Sequence, residues 1–206
     1  MKKIIILLVI ALVAFIAYKG PSGFVGLLSM SRTAQEASEK QKDVLGQAVA
    51  KNGQKVLVAY FSWGGNTRKV ACKIHELVGG DLYEIKPQVP YPDKYKQAVE
   101  VVKIEKSQNL RPAIAGKLPE LKNYDVIILG YPIWWHIEPM IVKTFVESTD
   151  LKGKIILPFA TSGSSDVKES VEDLRKTLPG VEVRDGLLAN ISAKIKPWLE
   201  ENKMLK

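Results

Sequence analysis

The chain has a single cysteine, Cys72, and two histidines, His75 and His136, well apart along the sequence. One cysteine cannot close an internal disulfide, so it says nothing of compartment. It also excludes an iron–sulfur or Cys-rich zinc site built within one chain, and no metal site is expected. Long runs of Lys and Arg are missing too. Thirty Lys and Arg against 22 Asp and Glu give a net charge of +8, and the excess is spread along the chain. That distribution argues against a nucleic-acid tail.

Two phosphate fingerprints are absent as well. No G-x-x-x-x-G-K-[ST] occurs, because Thr67 is followed by Arg68, so a nucleotide triphosphatase is excluded. No G-x-G-x-x-G follows a strand. There is no G-x-S-x-G, and His136 is the one plausible base, so a serine nucleophile is a poor reading.

What is present begins with an apolar N-terminus. Lys2 and Lys3 precede the unbroken apolar stretch from Ile4 to Tyr18. That is long enough for a signal-peptide core and short of the ~20 residues of a spanning helix. The run is apolar on all faces, which disfavours a buried helix of a cytosolic protein. Residues 1–30 are therefore expected to be a cleaved signal peptide or an uncleaved membrane anchor. Both place the following domain on the extracytoplasmic side. Residues 31–54 are polar and read as a tether. The Asn52-Gly53 turn signal marks the start of the folded domain, residues 55–206.

Within that domain strands and helices alternate. Val56–Phe61 is a continuous run of β-formers, as in a strand covered on both faces. Further strands are predicted at 82–85, 126–129, 154–159 and 181–184. Helices are predicted at 68–78, 95–107, 139–148, 166–178 and 191–201, the last complicated by Pro197. Five alternations imply right-handed crossovers and a doubly wound parallel α/β sheet. In such sheets ligands bind at the carboxyl ends of the strands, where the winding reverses.

Three unusual loops fall on that edge. Ser62-Trp63-Gly64-Gly65-Asn66-Thr67 follows the first strand and opens a helix. Two glycines permit a sharp turn, and N–H groups at a helix start favour an anion, so the stretch is an anion cradle that needs no lysine. The plain alternative is a strand–helix turn with Asn66 or Thr67 as its cap. Pro132-Ile133-Trp134-Trp135-His136 follows the third strand. Adjacent indoles in a loop are costly unless they cover something, and a flat aromatic ligand explains them by stacking. One of the two is expected to cap the core instead. His136 either donates a hydrogen bond near the ligand or is a plain surface residue. Thr161-Ser162-Gly163-Ser164, continued by Ser165, follows the fourth strand and is small enough to lie against a ring edge.

Taken together these segments resemble the flavodoxin family, and more narrowly the short-chain flavodoxin-like proteins of bacteria. The resemblance rests on YFS-x-x-GNT at 60–67, YPDKY at 91–95, RP at 111–112, YDVIILGYPIWW at 124–135, KTFVES at 143–148 and PFATSGSS at 158–165. It implies a sheet in the order 2-1-3-4-5 and a non-covalently bound FMN. Residues 62–67 would hold its 5′-phosphate, and 132–136 and 161–165 would flank the isoalloxazine. Gly64 stands where the family usually has a hydroxyl residue, which removes one possible phosphate hydrogen bond. The family's electron carriers are acidic and this domain is basic. Less negative charge near the flavin raises its potential and argues against a low-potential, ferredoxin-like role.

The expected function is that of a membrane-tethered or exported FMN protein passing electrons to a redox partner protein or a small-molecule acceptor. No residue outside the flavin is assigned a catalytic role. The alternatives are an FMN-dependent NAD(P)H:quinone-type oxidoreductase, for which no nicotinamide fingerprint is present, and a non-catalytic flavin- or phosphate-binding module.

Overall fold

Every residue of β1 (Val56–Tyr60) is buried, which is what a strand covered on both faces requires. A computed structural model describes residues 48–205. The signal or anchor expected at 1–30 and most of the expected tether lie outside the described residues. The last part of that tether is packed on the domain: Ala50 is buried and forms an antiparallel bridge with Gly79. Among the described residues no helix is long and apolar enough to cross a membrane.

The element order is β1, α1 (Asn66–Val78), β2 (Asp81–Glu84), α2 (Tyr95–Ser107), β3 (Val126–Pro132), α3 (Met140–Val146), β4 (Ile155–Thr161), α4 (Lys168–Thr177), β5 (Glu182–Val183), β6 (Leu187–Leu188) and α5 (Ile195–Glu201). Short 3-10 turns precede β3 and α5. The sheet runs β2-β1-β3-β4-β5 with every pairing parallel, as expected, and β6 also lies on β4.

Alternation along the strands sends side chains to two separate cores. Leu57, Ala59, Ile127 and Leu129 join Ile141 and Phe145 of α3 and Val171 and Leu174 of α4. Val56, Val58, Ile128 and Leu157 join Ala71 and Ile74 of α1 and Trp198 and Leu199 of α5. Three layers result, with α1 and α5 on one face and α2, α3 and α4 on the other.

Several boundaries differ from the sequence-based expectation. Strands β3 and β4 run on to Pro132 and Thr161, which pair with each other in register. The predicted loops therefore each begin one residue later, and their starts lie side by side. Helix α1 begins at Asn66, so Asn66 and Thr67 belong to its first turn. Pro197 delays the last helix: a 3-10 turn at Ser192–Lys194 precedes α5, and Pro197 is in the first turn of α5, where its missing N–H costs nothing.

The fifth strand expected at 181–184 is present as β5, and an unanticipated short strand, β6, lies beyond it on the same edge of β4. Ile156 accepts a hydrogen bond from Arg184, and Ala160 accepts one from Ala189. Alternate residues 156, 158 and 160 thus direct their backbone groups to this edge. Pro158 has no N–H to offer there. The break between β5 and β6 falls opposite it.

Candidate functional site

The turn after β1 is built around Ser62 and Gly65. Gly65 has φ +85°, the left-handed region, and is the N-cap of α1. Its N–H donates to Ser62 Oγ at 3.1 Å. No side chain caps α1, so neither Asn66 nor Thr67 acts as the cap. The first N–H groups of this 13-residue helix lack intrahelical partners, and its dipole adds partial positive charge at that end. A methyl group added at Gly64 or Gly65 would meet nothing within 4 Å. Nothing crowds either glycine, so the turn leaves room for a ligand at the helix start.

Thr67 is 1% exposed, and its Oγ1 lies 2.9 Å from Thr161 Oγ1. This contact joins the β1 turn to the end of β4. Ile133 N–H donates to Thr161 O at 2.9 Å, which joins the β3 loop to the same strand end. The indole of Trp63 donates to Pro92 O at 3.1 Å, and its ring lies 6.5 Å from that of Trp134. All three loops anticipated from the sequence thus meet on one edge.

The adjacent tryptophans do different things. Trp134 is half-buried and meets Phe61 and Tyr91 edge-to-face at 5.3 and 5.1 Å, so it caps the core. Trp135 is 46% exposed and is the indole of the pair left free for a ligand. Trp134 and Ile137 exchange backbone hydrogen bonds of 2.9 and 3.2 Å, which makes 134–137 a two-residue hairpin. Its central residues, Trp135 and His136, have φ +52° and +73°. A hairpin of this kind needs positive φ at both positions and normally uses Asn and Gly. Two bulky residues there carry backbone strain, of the kind that concentrates at binding sites. Lys106 Nζ donates to Trp135 O at 2.6 Å, and His136 Nδ1 lies 3.8 Å from Glu169 Oε2.

In the third loop Ser162 Oγ accepts from the N–H groups of Ser164 and Ser165 at 3.2 and 2.8 Å. This leaves Gly163 and Ser164 exposed at the tip. Asn190, beyond β6, clamps the loop: its Oδ1 accepts from Ser162 N–H at 3.1 Å and its Nδ2 donates to Ser162 O at 2.6 Å. Nothing in the spacing of the chain marked Asn190. Tyr95 beside Trp63, at 6.5 Å, was also outside the expected set, although it closes the YPDKY segment.

Beneath the hairpin sits Glu138, 1% exposed. Burial, then the neighbouring Asp173, push its carboxyl up to about 8. Among the described residues no cluster of three or more His, Cys, Asp or Glu is placed to hold a metal.

The geometry fits a long ligand with an anionic end and a flat end. The anion fits the turn at 62–67; the flat part fits the rim between Trp135 and Gly163-Ser164. The rim is an open edge. The surface cavity of about 290 Å³ next to it is lined by Tyr91 and Glu105, outside the three loops.

No curated protein sequence matches the chain significantly. Solved structures do. A candidate flavoprotein of Bacteroides eggerthii is 41% identical, covers 72% of this chain and 97% of its own, and superposes with a TM-score of 0.67. Its counterpart from Bacteroides uniformis is 38% identical over 71% of this chain and 98% of its own, with a TM-score of 0.66. A Lactobacillus acidophilus flavoprotein solved in complex with FMN is 23% identical over 70% of this chain and 98% of its own, with a TM-score of 0.62, and so shares the fold. The Flavodoxin family model matches residues 55–202, and the chain belongs to the flavodoxin family.

Proposed function

We propose that the chain is an FMN-binding redox protein that passes electrons through a non-covalently held flavin. The observation that carries this reading is the start of α1. It has no side-chain cap and a glycine at the N-cap, and it opens onto the edge that also presents Trp135 and the 161–165 loop. In this assignment the N–H groups of residues 64–67 and the side chains of Ser62, Asn66 and Thr67 hold the phosphate. Pro132–His136 and Thr161–Ser164 flank the ring system, with Trp135 as the stacking residue. Flavin bound there supplies the electron-transfer chemistry; the protein binds it, orients it and tunes it. Membership of the flavodoxin family and the FMN complex of the Lactobacillus protein support the choice of cofactor.

The apolar run at 4–18 supports export or tethering of the domain on the extracytoplasmic side. The partner in this reading is a redox protein or a small acceptor that reaches the open rim.

The test is to add FMN to the purified chain. Binding gives a yellow protein whose absorbance shifts on reduction, and FMN fluorescence is quenched. Replacing Asn66 and Thr67 by leucine abolishes binding. A colourless protein that leaves FMN fluorescence unchanged overturns the proposal. Oxidation of NADPH by the holoprotein with a quinone as acceptor would instead make it a reductase.

A further inference from the structure

Glu138 is a buried acid that the redox reading does not use. Its carboxyl lies beside that of Asp173 and near its own backbone N–H, and neither oxygen is satisfied by a well-formed hydrogen bond. The nearest cation is Lys143, whose Nζ lies 3.8 Å from Oε1, but Lys143 sits closer to Asp173 Oδ2, at 2.5 Å. Arg111 also faces this cluster and is bound to Glu147, with Nε 2.5 Å from Oε2. Tyr131 of β3 lies near, with its hydroxyl 3.2 Å from Ser170 Oγ. Around Glu138, then, are two cations and two other carboxylates: Lys143 and Glu147 at α3, Asp173 on α4, and Arg111 in the preceding loop. Each cation already has its own acid. Glu138 is left with the long 3.8 Å contact to Lys143, and a buried charge so weakly paired is disfavoured strongly enough that the group holds its proton instead.

The position matters as much as the charge. Glu138 directly follows the 134–137 hairpin and precedes Pro139 and α3. It connects the hairpin base, through the chain, to a buried cluster with Lys143 of α3 and Asp173 of α4. The hairpin tip is held by exposed contacts alone, from Lys106 and toward Glu169, and Trp135 and His136 store positive-φ strain there.

We propose that Glu138 is a proton-bearing positioning residue: protonated, it seats the Trp135–His136 hairpin on the site rim, and when it gives its proton to solvent the hairpin lifts. Asp173 repels the charged form, and release of the strained turn favours the lifted one. The coupling belongs to the polypeptide alone; that the moving indole borders a flavin rests on the reading above.

The experiment uses the full chain without added flavin. Acrylamide quenching of indole fluorescence is followed from pH 6 to 10, and the Trp135 share is taken by difference from Trp135→Phe. The Trp135 quenching constant rises at least twofold in one step centred near pH 8. Glu138→Gln keeps the low-pH value throughout. Asp173→Asn moves the step to lower pH, because it removes the repelling carboxylate and frees Lys143. His136→Gln keeps the step, which shows that the other titratable side chain of the hairpin is not its source. No step in the parent chain, or the same step in folded Glu138→Gln, overturns the proposal. If Glu138→Gln fails to fold, an unmoved step in Asp173→Asn does so. A chain that shows the step and binds no FMN keeps this proposal and overturns the flavin reading.

Discussion

The hydroxyls of Thr67 and Thr161 lie 2.9 Å apart, across 94 residues of sequence. One belongs to the first turn of α1 and the other ends β4. This contact fixes the spacing between the proposed phosphate end of the site and the loop along the ring edge. Thr67→Val keeps the volume and removes the bond. The loss of one buried hydrogen bond costs about 1 kcal/mol. Denaturant melts of the two single variants and the double variant should show coupling: the double costs less than the sum of the singles. FMN titration should show weaker binding in each.

The turn itself makes a sharper test. Gly65 has φ +85°, so Gly65→Ala is strained although a methyl group there meets nothing. A cost of about 1 kcal/mol is expected in thermal melts. Gly64 has no such backbone requirement, and its methyl position is equally open. Gly64→Thr should leave stability within about 0.5 kcal/mol. It should tighten FMN several-fold, because it restores the hydroxyl that the family usually carries at this position.

How much of this was legible in the sequence depends on the range over which each feature is decided. The glycine turn and the three-loop edge are local patterns plus one topological rule, and they were readable; the strand order followed from the family resemblance and not from the patterns. The division of labour between Trp134 and Trp135 was anticipated only as one indole of two. Which one was settled by Phe61 and Tyr91, residues of other elements. The extra strand β6 and the gap before it belong to the neighbouring strand's pattern, where Pro158 has no N–H to offer. Asn190 gave no signal, because a single Asn in a loop is ordinary until its partner, Ser162, is known to be there. Gly130 is similar. It falls just past the strand predicted at 126–129, yet it sits inside β3, where a methyl group would fall 2.1 Å from the ring of Phe159. Glycine leaves room for that ring as β3 continues to Pro132.

Asn190 offers a prediction that separates loop order from fold stability. It lies at the surface and makes both of its bonds to the Ser162 backbone. Asn190→Ala should lower global stability by no more than about 1 kcal/mol. It should release residues 162–165, read as faster hydrogen exchange confined to that segment. FMN binding should weaken, with the change in the dissociation rate, since the rim loop must then be ordered on binding.

The pH dependence of stability follows from Glu138 with a definite sign. In the folded chain its carboxyl is raised to about 8 by burial and then by Asp173, whereas an unfolded glutamate titrates near 4.3. Between those values the folded chain holds a proton that the unfolded chain has released. The unfolded state therefore binds fewer protons, and stability falls as pH rises from about 4.3 to 8, then levels off. The sense is opposite to that of a salt-bridged carboxylate such as Glu147, which Arg111 holds below the usual range. At one unit per 1.36 kcal/mol the full shift corresponds to on the order of 5 kcal/mol. Lifting of the hairpin gives the charged carboxylate a way to water and reduces that figure. Glu138→Gln carries no proton to lose. Urea melts at pH 5 and pH 9 should therefore show the variant close to the parent at the lower pH and more stable than it at the higher. A parent chain equally stable at both would mean that Glu138 is charged in the fold and paired with Lys143.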